Sequence, residues 1–135
     1  MSPESMYIVV AEDSAPNRRI LVHLLKKCGF TVVECEDGKM AWEAIEGLEE
    51  GPHAVISDIM MPNMDGIELL RKVRNSDKWA DIPFVFVSAV SDKEHIQEAK
   101  ELKVNGYILK PITFARVTQK LEQLFPGIRL PKLAG

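Results

Sequence analysis

Five short apolar runs punctuate the chain, and between them apolar positions recur at helical spacing. The runs are Tyr7 to Ala11, Thr31 to Val33, His53 to Ser57, Pro83 to Ala89 and Gly106 to Leu109. The first, YIVVA, is β-branched and continuous, as suits a strand covered on both faces. After it, Ser14 and Pro16 suit the start of a helix. Its predicted stripe is Ile20, Leu21, Leu24, Leu25 and Cys28, with Gly29 as the stop. Asp37 and Gly38 open a second helix along Ala41, Ala44, Ile45 and Leu48, broken at Gly51-Pro52. Asp65 with Glu68 forms a capping-box pattern ahead of Ile67, Leu70 and Val73, and Ser91 with Glu94 repeats it. The fourth helix, Asp92 to Lys103, is mostly polar, with only Ile96, Ala99 and Leu102 to bury. Phe114, Val117, Leu121 and Leu124 mark the fifth, closed by Pro126 and Gly127.

Strand and helix thus alternate five times. That predicts an α/β domain: a three-layer, doubly wound, five-stranded parallel sheet of the flavodoxin-like kind. A length of 135 residues suits one such domain. We expect it to occupy residues 1–125, with 126–135 a C-terminal tail or the start of a linker. A formal net charge of −3 gives no electrostatic reason to bind nucleic acid or an anionic membrane. No apolar run approaches a membrane span, and MSPESMY lacks the basic and apolar parts of a secretory signal. Cys28 and Cys35 have no metal or redox-motif spacing, so the expectation is a cytoplasmic protein with two reduced thiols.

In open parallel sheets, ligands bind beyond the carboxyl ends of the strands, near a topological switch point. Glu12 and Asp13 follow the first strand, Asp58 the third, Ser88 ends the fourth, and Lys110-Pro111 follows the fifth. Each alone has an ordinary use as a cap, turn residue or solvated charge. Such uses do not explain charges of both signs at one rim. Two unit charges about 4 Å apart interact by roughly 4 kcal/mol at an effective dielectric near 20. Three carboxylates therefore raise one another's pKa unless cations sit among them. Lys110 is one cation, and oxygen ligands without His or Cys favour Mg²⁺ as the second. The rim reads as a phosphoryl-transfer centre. Asp58 is the candidate nucleophile, Asp13 a direct metal ligand and Glu12 one acting through water. Lys110 and the metal neutralise phosphoryl oxygens, and the Ser88 hydroxyl donates to one.

With Glu12-Asp13, DIMMPNMDG around Asp58, VSA at Ser88 and GYILKP ending in Lys110-Pro111, the chain resembles the receiver domain of bacterial two-component response regulators. The resemblance spans roughly Met6 to Phe125. It implies strand order 2-1-3-4-5 and Mg²⁺-dependent phosphorylation of Asp58 by a sensor histidine kinase or a histidine phosphotransfer protein. It also implies a metal ligand from the Met60 backbone carbonyl, a cis Lys110-Pro111 bond, and a switch pair of Ser88 and Tyr107. The switch would be read by an output protein or domain on the face of the fourth helix, fifth strand and fifth helix, and the thin apolar stripe of the fourth helix suits a bistable element.

Two other function classes would share parts of this pattern. An aspartyl-phosphate hydrolase needs a cap or lid, and no insertion here is long enough for one. A phosphorylation-independent interaction module would not need Asp58 and Lys110, which are both present. Arg18 and Arg19 are expected on a solvated basic face near the rim, and Trp42 and Trp79 as packing residues, Trp79 half exposed in a loop.

Overall fold

The computed structural model describes residues 3–89 and 95–131. After a one-turn 3-10 helix at Pro3–Ser5, the elements are β1 (Tyr7–Ala11), α1 (Ala15–Lys27), β2 (Thr31–Cys35), α2 (Gly38–Gly47) and β3 (Ala54–Asp58). Then follow α3 (Gly66–Arg74), β4 (Phe84–Ser88), α4 (Ile96–Glu101), β5 (Gly106–Leu109) and α5 (Phe114–Leu124). The sheet is parallel in the order β2-β1-β3-β4-β5, the doubly wound flavodoxin-like arrangement.

The layers follow from the two-residue period of a strand. Ile8, Val10, Ala54, Ile56, Val85 and Val87 face one side, where Leu21, Val22 and Leu25 of α1 and Val117 and Leu121 of α5 cover them. Val9, Ala11, Val55, Phe84 and Phe86 face the other, beneath α2, α3 and Ala99 of α4. β3 and β4 are buried at every position, which is why their sequences run apolar without alternation. Phe125 and Ile128 are buried in the first of these cores and Leu130 packs against it, so packing continues past residue 125.

Several sequence expectations change: β2 runs on to Cys35, and β4 spans only Phe84–Ser88. β3 starts one residue later and includes Asp58. Ile20 is 45% exposed, because Leu21, Leu25 and the unforeseen Val22 set the buried direction of α1 and place Ile20 away from it. Ile96 is likewise exposed, so Ala99 and the half-buried Leu102 are what α4 packs with. Trp79 is buried: its ring lies over Gly51, where an added Cβ would come within 2.8 Å of it. The caps at Asp37 and Asp65 form as read, each side chain accepting an amide of its own helix. The Ser91–Glu94 cap and the start of the fourth helix at Asp92 lie outside the described residues.

Candidate functional site

Register brings the rim together. Ala11 of β1 lies opposite Ser57 of β3, so Glu12, just past β1, and Asp58, the last residue of β3, come side by side at the sheet's edge. Ser88 lies opposite Leu109, which puts Lys110 one step beyond the end of β4. Lys110 N–H donates to the Ser88 carbonyl at 2.9 Å and prolongs the ladder by one bond. The Lys110-Pro111 peptide is cis.

The result is one acidic cluster. Glu12, Asp13 and Asp58 each offer a carboxylate oxygen, all within 4.8 Å of one another. Glu12 is buried, Asp58 nearly so and Asp13 exposed, so the cluster opens to solvent on one side. The Lys110 ammonium lies 3.4 Å from Asp58 Oδ2, while Asp58 Oδ1 accepts the Ile59 amide at 2.7 Å. Ser88 is buried at the same edge. Met60 is 54% exposed in the loop after β3. Tyr107 stands apart within β5, its ring 6.2 Å from Phe86 and its hydroxyl buried without a hydrogen-bond partner among the described residues.

Electrostatics mark Glu12. Burial first, and the neighbouring Asp58 carboxylate second, push its pKa up to about 8. Its Oε2 accepts the Ser14 amide at 3.3 Å, while Oε1 is buried with no hydrogen-bond partner among the described residues. The sign of the linkage follows. A carboxyl group that keeps its proton longer folded than unfolded lowers stability as pH rises from about 4.5 to about 8. We expect Glu12→Gln to melt higher than wild type in chelator, by roughly 5 °C at pH 9 and little at pH 5. Thermal unfolding at both pH values checks this; a gap that does not grow with pH contradicts it.

Arg18 departs from its expected place on a solvated face. Its guanidinium donates to the Glu12 carbonyl at 2.8 Å and lies 3.9 Å from both Glu34 and Glu36, with the side chain only 16% exposed. Sequence reasoning also missed the pairing of Asp37 with Asn63, whose side chains meet at 2.6 Å and tie the start of α2 to the loop that follows Asp58. A cap at one position and a loop residue 26 positions on carry no joint signal in one sequence.

Comparison with known proteins agrees with this geometry. A profile described as the response regulator receiver domain matches residues 8–122. Chemotaxis protein CheY-3 of Vibrio cholerae is 36% identical over 124 residues, covering 90% of this chain and 93% of that protein. Chemotaxis protein CheY1 of Helicobacter pylori is 34% identical, covering 87% and 94%. Among solved structures, the chemotaxis response regulator CheY4 of Vibrio cholerae superposes with a TM-score of 0.81 at 24% identity, covering 89% of this chain and 98% of that one. The receiver domain of a sensor histidine kinase from Pseudomonas aeruginosa, solved with a magnesium ion in its active-site cleft, gives 0.79 at 22% identity, covering 88% and 96%.

Proposed function

The chain belongs to the response regulator receiver domain family, and from that membership we propose how its acidic pocket divides the work. A receiver is a signalling phosphoacceptor rather than a true enzyme, and membership implies a histidine kinase as partner. The residue roles rest on one observation: three carboxylates within 4.8 Å of one another, with the Lys110 ammonium 3.4 Å from Asp58.

The pocket fits the Mg²⁺ ion that receivers use. Its donors are all oxygen, and Glu12 Oε1 is buried without a hydrogen-bond partner among the described residues. Asp13, Asp58 and the Met60 backbone carbonyl would hold the ion together with Glu12, which acts through water. When bound, Mg²⁺ supplies positive charge against the phosphoryl oxygens.

Asp58 is the acceptor. One carboxylate oxygen forms a bond to phosphorus as the bond from phosphorus to the donor's nitrogen breaks, its electron pair leaving with the donor. The rigid end of β3 and the Ile59 amide orient that carboxylate. Lys110 sets a second positive charge where negative charge gathers on the transferred group, and the Ser88 hydroxyl donates to one of its oxygens. The donor is a sensor histidine kinase directly or a histidine phosphotransfer protein. Ser88 and Tyr107 form the switch: the unpartnered Tyr107 hydroxyl leaves its ring free of a polar tether among the described residues. α4, β5 and α5 form the face read by an output protein or domain, where Ile96 and Leu109 are exposed. We assign the protein to the cytoplasm, in keeping with its free buried Cys28 and Cys35. No helix among the described residues is long and apolar enough to cross a membrane.

Incubation with acetyl phosphate and Mg²⁺, followed by intact mass measurement, tests the reading. One phosphoryl adduct is expected, lost when a chelator replaces the metal. An adduct that forms equally well in chelator contradicts it.

A further inference from the structure

The β2–α2 turn and the β3–α3 loop are tied together beside the pocket. Asp37 caps α2, its Oδ1 accepting the Met40 amide at 2.8 Å. Its other oxygen accepts the Asn63 side-chain amide at 2.6 Å. Gly38 N–H donates to the Met64 carbonyl at 3.0 Å, and a Cβ at Gly38 would collide with that carbonyl. Asn63 holds φ at 67°, the left-handed region that residues with a side chain rarely adopt. At the opposite end of the loop, Gly66 N–H donates to the Ile59 carbonyl at 2.7 Å. The stretch between these ties carries Met60.

We propose that Asp37 and Asn63 are a positioning pair for the metal site, strapping the loop so that the Met60 carbonyl is held ready for Mg²⁺. The proposal rests on the receiver reading of the pocket given above. Neither residue is a ligand. A backbone carbonyl is only as well aimed as the loop that carries it, and a charge-assisted hydrogen bond is among the stronger ties available. Glycine would satisfy the left-handed backbone at position 63 with less strain. What asparagine adds is an amide that reaches the Asp37 carboxylate across 26 positions of sequence.

Mg²⁺ titration calorimetry on the full chain tests this, alongside thermal unfolding in chelator. Asn63→Gly and Asp37→Ser each remove the tie, while glycine suits the backbone and serine still caps the helix. Each is expected to weaken Mg²⁺ binding about tenfold, the low end for outer-shell partners. The double variant is expected to bind no more weakly than either single one, because both remove the same contact. Asp37→Asn is expected to recover affinity, since the Asn63 amide can turn and accept through its oxygen; this separates the tie from the mere loss of a negative charge. Asn63→Gly is expected to melt somewhat below wild type, since it leaves one Asp37 oxygen unpaired, yet to stay fully folded at the temperature of the titration. Variants that bind Mg²⁺ as tightly as wild type, or losses that add in the double variant, overturn the strap alone. A wild-type chain that binds no Mg²⁺ overturns the strap and the receiver reading of the pocket together.

Discussion

Asp58→Asn is expected to abolish phosphoryl uptake while leaving the fold intact. The amide nitrogen has given its lone pair to the carbonyl, and the amide oxygen lacks the charge that makes a carboxylate a nucleophile. Stability in chelator should hold or rise. The substitution removes the charge that helps lift Glu12 to about 8, and it gives up only a partly exposed pairing with Lys110 at 3.4 Å. The check is paired: intact mass after acetyl phosphate and Mg²⁺, and thermal unfolding of the same preparation. A folded variant that still gains a full adduct would move the acceptor to another residue, with Asp13 the nearest candidate in the cluster.

Gly66→Ala should be the most damaging small change near the site. Gly66 is buried at the start of α3, with its amide on the Ile59 carbonyl at 2.7 Å. An added Cβ would run into the Asp58 carbonyl oxygen and come within 2.8 Å of the Phe86 ring. The first of these is backbone, which cannot swing aside as a long side chain can. We expect a loss of about 3 kcal/mol, the upper part of the range for overpacking. For a chain of this length that is roughly 10 °C in melting temperature. Because the displaced atom belongs to Asp58 itself, the rate of phosphoryl uptake should fall as well. Gly47→Ala is the control: a Cβ there meets nothing within 4 Å, and alanine favours the helix. Equal melting temperatures for the two variants would contradict the close-packing account.

How much of this was legible beforehand depends on the range over which each signal acts. The alternation of strands and helices is local, set by side-chain periods of two and 3.6 residues, and it was readable from the apolar runs alone. The caps at Asp37 and Asp65 were readable for the same reason, since each bond closes within three residues. The rim was readable because a parallel α/β sheet sends its carboxyl strand ends to one edge. Glu12, Asp13, Asp58 and Lys110 therefore stood out before any coordinate was known, and the structure brings them together. The strand order came from the family resemblance, since periodicity says which residues form strands but not which strands are neighbours.

What only the tertiary structure decided are the roles of groups whose partners lie far along the chain. Arg74 looks like any basic residue in the last turn of a helix. In the fold it donates to the carbonyls of Ala80, Ile82, Leu102 and Lys103 and to the Asn105 side chain, joining α3 to the end of α4. Arg18 turns from a surface charge into a brace on the Glu12 carbonyl. Trp79 is buried because Gly51, 28 positions earlier in the same numbering, leaves room for its ring. Asn63 meets Asp37 across 26 positions of sequence. A single sequence records each residue's own preference for helix, strand, turn, water or core. It does not record which two distant side chains the folded sheet will set within hydrogen-bond reach, because that distance is fixed jointly by all the packing between them.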